Sequence, residues 1–189
     1  VEVTKGDKTS EETMQVTYEL AAKMGKVPVR VEKDSIGFIY NRVNEPTLIL
    51  LGKIVEREMA TPEEIDAKAK KSGMPMGPYE LMDYVGLDVA YHGALYFEEK
   101  LSPEYKPPKW LKEKVEAKNL GKKTGKGIYD WSKGRPAIDL AKAREDFDLT
   151  DLIALQVNEA TKLLEDGVAK SPDDIDKAMV NGGGGVFGE

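Results

Sequence analysis

Cysteine is absent from the 189 residues, and histidine occurs once, at His92. These two gaps exclude disulfide bonds, thiolate nucleophiles and cysteine-ligated zinc, and argue against a histidine-based metal centre. Long hydrophobic runs are missing as well. No apolar stretch approaches the roughly 20 residues that span a bilayer, and the amino end lacks the basic-then-apolar order of a signal peptide. A cytoplasmic chain with no membrane partner is the expectation. Excess positive charge is also lacking, and a net charge of −6 argues against nucleic acid as a partner.

A hydrophobic fraction of 40% suffices for a real core, in one ordinary domain or two small ones. The first residue is Val1 and it opens directly into the β-like run Val1-Glu2-Val3, so the chain reads as a fragment of a longer one.

Local signals predict mostly helix. Thr9-Ser10-Glu11-Glu12 has the form of a capping box with Thr9 as the cap. Met14, Tyr18, Ala21 and Ala22 follow at helical spacing to about Met24. Gly25 stops that helix, and Val27, Val29 and Val31 alternate as in a half-buried strand. From Phe38 to Met59 an apolar helical pattern runs through Pro46, which predicts a kink or local break. Thr61-Pro62-Glu63-Glu64 is a second capping box with proline at the first helical position. Further helices are expected over Tyr79 to Leu101, interrupted near Gly86, over Trp110 to Ala117, and from Leu149.

Thr61-Pro62-Glu63-Glu64-Ile65-Asp66 matches Ser171-Pro172-Asp173-Asp174-Ile175-Asp176 position for position. Each follows an apolar helix and precedes a glycine-rich loop, Gly73 to Gly77 in one and Gly182 to Gly188 in the other. The pattern predicts an internal duplication whose copies stack on one another.

No complete active site can be assembled from single motifs. Gly183 to Gly188 satisfies the string G-x-G-x-x-G, but a helix precedes it where the dinucleotide fingerprint needs a strand, so it reads as the repeat's loop. Gly121 to Gly127 has the wrong spacing for a P-loop. Between Lys106 and Arg135 ten lysines and arginines face three acids, which reads either as a solvated face or as a site for a phosphorylated ligand. His92 reads as a structural or exposed histidine, and Glu63, Glu64 and Asp66 as first-turn acids favoured by the helix dipole.

Several segments in order carry a resemblance. They include Thr9-Ser10-Glu11-Glu12-Thr13, Gly37-Phe38-Ile39-Tyr40-Asn41-Arg42, Pro75-Met76-Gly77-Pro78-Tyr79-Glu80-Leu81, Asp83-Tyr84-Val85-Gly86-Leu87-Asp88 and Gly121-Lys122-Lys123-Thr124-Gly125-Lys126-Gly127. From Val1 to about Trp131 the chain resembles the 3-hydroxyacyl-CoA dehydrogenases.

The resemblance implies a mainly all-α fold, the helical carboxy-terminal-type domain of that family, with a small strand and helix remnant of the dinucleotide-binding domain at the amino end. Residues 1–35 would end the dinucleotide-binding domain, 36–135 would form the helical domain, and 145–189 would be a truncated second copy. It implies NAD as cofactor, an acyl-CoA substrate, a missing amino-terminal dinucleotide-binding domain and a homodimer. The family's catalytic pair is a histidine and, a dozen residues later, a glutamate. The glutamate falls on Glu2, and the histidine would lie just upstream of Val1, so the isolated chain should be inactive. By the same likeness Asn41 would bond near the substrate carbonyl and Lys123 would reach the cofactor. The second copy keeps Asn158-Glu159-Ala160 but has no counterpart of Gly37 to Arg42 before it, which implies a structural role. A helical dimerisation or scaffold module with no catalytic part is the competing reading.

Overall fold

A computed structural model describes residues 1–183. Contacts divide the chain into two compact units: Val1–Pro46 with the described residues from Ile153 on, and Thr47–Leu152. Among the described residues, no helix is long and apolar enough to cross a membrane.

The first unit opens as the sequence predicts, with a strand, a helix and a strand. β1 (Glu2–Thr4) and β2 (Val29–Val31) are parallel, with Glu2 opposite Val29, and α1 (Glu11–Lys23) connects them. The cap of α1 is Ser10, one residue beyond the expected Thr9: Ser10 Oγ accepts the Thr13 N–H at 3.1 Å, while Thr9 Oγ1 accepts from Gly6. Position 13 is threonine, so no reciprocal carboxylate bond closes a box there. Of the apolar face expected on α1 only Met14 is buried.

Helix α2 (Tyr40–Glu56) runs unbroken through Pro46, so the expected break does not occur. Its first turns join the carboxy-terminal part of α7 (Thr150–Glu165) and α8 (Pro172–Gly182) in the core of this unit. That core gathers Val29, Val31, Ile39, Val43, Leu163, Val168, Ile175 and Ala178. Glu45, on α2, is buried, and its Oε1 has no hydrogen-bond partner among the described residues. Burial pushes its carboxyl up to about 7.

The second unit holds α3 (Pro62–Lys71), α4 (Pro78–Val85), α5 (Leu87–Lys100) and α6 (Lys109–Glu116). Leu51, Ile65, Tyr79, Met82, Leu87 and Leu111 form its core. Two buried acids tie it together. Asp66 has no exposed surface and accepts from the Tyr79 and Glu80 amides at 2.9 and 2.8 Å, capping α4, and from the Tyr129 hydroxyl at 2.7 Å. Its reading as a plain first-turn acid of α3 is thereby corrected, because the α4 amides have no other acceptor. Burial raises its carboxyl to about 6 against the pull of those three donors.

Asp83, equally inaccessible, accepts from the Ile128 and Tyr129 amides, both at 2.8 Å, and from the Trp131 indole at 2.9 Å. These bonds pin the segment following Gly121–Gly127. A Cβ at Gly127 would overlap the Asp83 carboxylate, and one at Gly121, where φ is 92°, would overlap the Asp83 backbone.

The two segments expected to be copies share local geometry. Thr61 and Ser171 cap α3 and α8, each followed by proline. The capping box closes fully only in the first copy, where the Glu64 carboxylate accepts the Thr61 N–H at 2.7 Å. In the second, the shorter Asp174 meets only the Ser171 hydroxyl. The preceding helices α2 and α7 end alike. The Glu58 and Met59 amides reach the Val55 and Ile54 carbonyls, as the Gly167 and Val168 amides reach Leu164 and Leu163. The left-handed residue is Gly167 in one copy (φ 67°) and Glu58 in the other (φ 54°). Gly182, expected to open a loop, is instead the last residue of α8. The remainder of that glycine-rich motif, Gly184 to Gly188, lies outside the described residues.

Three measurements follow from these features. Glu58→Gly should stabilise the chain by about 0.5–1 kcal/mol in urea unfolding, because glycine carries no penalty in the left-handed region. Asp83→Asn should cost about 3 kcal/mol, since an amide sets an N–H against a buried N–H donor. The folded-state pKa of Glu45 is raised from 4.5 to about 7, so its contribution to stability is present at low pH and is lost as pH rises through that interval. At about 1.4 kcal/mol per pKa unit the loss is about 3 kcal/mol, and Glu45→Gln should abolish that part of the pH dependence.

Candidate functional site

Glu2 reaches across its own unit to the start of α2. Its Oε1 accepts the Ile39 N–H at 2.7 Å and the Tyr40 N–H at 3.1 Å. These are two of the four amides that a helix start leaves without intrahelical acceptors, and a carboxylate is favoured there by the helix dipole. Both bonds fall on Oε1, so Oε2 accepts from none of the described residues. Gly37, at φ 73°, and Phe38, at φ 51°, turn the chain into this position.

Asn41 is the next residue after the two amides that Glu2 holds. It is exposed, and among the described residues its side chain makes no hydrogen bond. The structure therefore brings Glu2 and Asn41 to one end of one helix, with a free carboxylate oxygen and a free amide.

Lys123 belongs to the second unit. It lies in the short helical turn Lys122–Thr124 of the glycine-rich loop and pairs with Asp88 at the start of α5. Its side chain is 43% exposed and that of Asp88 29%. Lys123 holds the Asp88 carboxyl below the usual aspartate range. Lys122 sits 4.1 Å from the centre of the Tyr84 ring, a cation–π contact. The neighbouring Lys114 donates to the Gly127 carbonyl at 2.7 Å. The loop is thus a pinned structure that presents ammonium groups.

His92 is exposed on α5, and its Nδ1 lies 2.8 Å from the Asp88 carbonyl one turn earlier. Among the described residues no carboxylate pairs with it. A cavity of about 470 Å³ opens between the first turn of α3, with Glu63 and Glu64, and Ile128, Tyr129 and Lys142, and is lined by none of Glu2, Asn41, Lys123 and His92. Among the described residues no cluster of three or more histidine, aspartate and glutamate side chains could hold a metal ion.

The sequence left Asp66 and Asp83 without their roles. The available signal was an acid inside an apolar helical stretch, as at Glu80-Leu81-Met82-Asp83, where solvation alone does not explain the charge.

Comparison with known proteins adds the following. Residues 37–131 match the model of the 3-hydroxyacyl-CoA dehydrogenase carboxy-terminal domain, and residues 1–35 match that of the NAD binding domain of the same proteins. The fatty acid oxidation complex subunit alpha of Acinetobacter baylyi is 35% identical over 96% of this chain, and that of Psychrobacter cryohalolentis 36% over 97%. The chain spans 28% of the length of each. Among solved structures, 3-hydroxybutyryl-CoA dehydrogenase from Escherichia coli K12 aligns with a TM-score of 0.83 at 27% identity, covering 96% of this chain and 57% of that one. FadB2 of M. tuberculosis aligns with a TM-score of 0.63 at 41% identity, covering 69% of this chain and 46% of that one. With half of its length matched by one domain model of that family and its first residues by the other, the chain belongs to the 3-hydroxyacyl-CoA dehydrogenase family.

Proposed function

We propose that this chain is part of an NAD-dependent enzyme that oxidises (S)-3-hydroxyacyl-CoA to 3-oxoacyl-CoA in fatty-acid metabolism in the cytoplasm. It supplies Glu2 and Asn41 to the substrate side of the site and Lys123 to the cofactor. Residues 1–35 are the end of a dinucleotide-binding domain, 36–135 the helical domain and 145–189 a truncated second copy. The observation that carries the reading is the placement of Glu2 on the amide end of α2, directly before Asn41.

The reaction removes the proton from a hydroxyl oxygen while hydride leaves the carbon that bears it, and a C=O bond forms between them. An imidazole takes that proton, and a carboxylate beside it fixes the ring and stabilises the imidazolium. Such a carboxylate must be held in one place. Two amide bonds hold Glu2 by Oε1 and leave Oε2 for the ring. Asn41 offers an amide donor to the thioester carbonyl, where negative charge would accumulate if the adjacent carbon lost a proton.

NAD, when bound, supplies the hydride acceptor. The donor set at Lys123 fits a phosphorylated group: an ammonium on a fixed loop, paired with a partly exposed carboxylate that a phosphate can displace at small cost. The isolated chain is inactive in this reading, since its one histidine, His92, is not the histidine that the family places a dozen residues before the glutamate at Glu2. The upstream dinucleotide-binding portion completes the enzyme, which works as a homodimer. Exposed Val85, Val89 and Tyr96 suit a subunit contact and also favour the second reading, a scaffold with no catalytic part.

The test is acetoacetyl-CoA-dependent NADH oxidation by the whole polypeptide that carries this chain, with and without Glu2→Gln. A loss of about a hundredfold in kcat, the scale of general acid–base assistance, is the expected result. Full activity in the variant would remove Glu2 from the mechanism, and an inactive parent protein would favour the scaffold.

A further inference from the structure

The chemistry above draws nothing from the second repeat, yet α7 and α8 bear on the one turn of helix that carries it. Arg42 follows Asn41 directly and is buried at 4% exposure. Its Nε donates to Glu159 of α7, itself 1% exposed, and its Nη2 lies 3.8 Å from Asp166. The other Glu159 oxygen takes the Lys162 ammonium at 2.9 Å. Two residues on from Arg42, Asn44 donates to the Tyr40 carbonyl at 2.9 Å and accepts from Gln156 of α7, also at 2.9 Å. From α8, Gly182 lies against the Tyr40 ring so closely that a Cβ there would overlap it.

Counting back equally from the left-handed residues Glu58 and Gly167, the positions of Asn41 and Arg42 correspond to Thr150 and Asp151. The second copy therefore lacks the pair that the first copy uses. Its buried contribution is ionic, and stability alone does not account for that, because an apolar pair of similar volume is commonly as stable as a buried ion pair. What a guanidinium and a carboxylate add is a fixed direction.

We infer that the second repeat is a brace for the first: Glu159, with Gln156 and Gly182, fixes the first turn of α2 and so the direction in which Asn41 points. Arg42 and Glu159 are positioning residues. The inference rests on the reading of Asn41 as a substrate-facing residue, while the brace itself can be observed without any activity.

The experiment compares the parent chain with the double variant Arg42→Met/Glu159→Met by amide hydrogen exchange and thermal unfolding. The melting temperature should stay close to that of the parent. The amides of residues 39–43 should exchange about tenfold faster, with α3 to α6 unaltered. In the whole polypeptide the same variant should lose roughly tenfold to a hundredfold in kcat, as misplacement does, with KM for NADH unchanged. Unaltered exchange at the start of α2 would overturn the brace. Faster exchange with full kcat would overturn its link to the site and leave the dehydrogenase reading intact. A parent protein inactive towards acetoacetyl-CoA would instead count against that reading, and exchange would still decide the brace. Should the double variant fail to fold, Glu159→Gln keeps the shape and removes the charge, and the same exchange difference, smaller in size, is expected; its absence would overturn the proposal.

Discussion

A carboxylate taken partly or wholly out of water, accepting backbone N–H groups from a distant segment, is the interaction on which this structure depends. Asp83 does this for the residues following the glycine-rich loop, Asp66 for the start of α4, and Glu2 for the start of α2. In each case the acid would be costly to bury alone and the amides costly to leave unmet, so each answers the other's cost. The glycines beside them follow from this arrangement. Gly121 and Gly127 lie where Asp83 leaves no room for a side chain, and Gly77 lies equally close to Asp66.

That interaction also marks where sequence reasoning stopped. Thr61-Pro62-Glu63-Glu64 could be read in full, because cap, proline and returning carboxylate lie within four residues and their bonds are local. Helix α2 could be read from its period. Asp66 and Asp83 could not, since their partners lie 13 to 63 residues away and no local pattern records them. The same blindness made the Lys106 to Arg135 segment look like a field of charge. In the fold, Lys114 is spent on a carbonyl, Lys122 on a ring and Arg135 on the buried Glu80. The candidate site was legible only through resemblance. Residue spacing does not show that Glu2 would meet the amides of residues 39 and 40, because that depends on the strand register that sets Glu2 opposite Val29.

A tension runs through the proposed second copy. Its caps, its left-handed turn at Gly167 and its proline-led α8 are retained, while Thr150 and Asp151 replace the residues of the first copy's helix start. The elements kept are those that a packed helical pair needs to exist. The elements changed are those that the proposed site uses.

The pinning of the glycine-rich loop bears on time as well as on shape. The loop is followed by a segment that makes three bonds to one inaccessible acid, and two of its glycines leave no room for a Cβ, so opening it would break those bonds. What can still move quickly is the partly exposed Lys123 side chain, whose rotamer changes run on the picosecond to nanosecond scale, far faster than the microseconds of loop motion. An anion arriving there would find its counter-charge already in place and would wait for no lid.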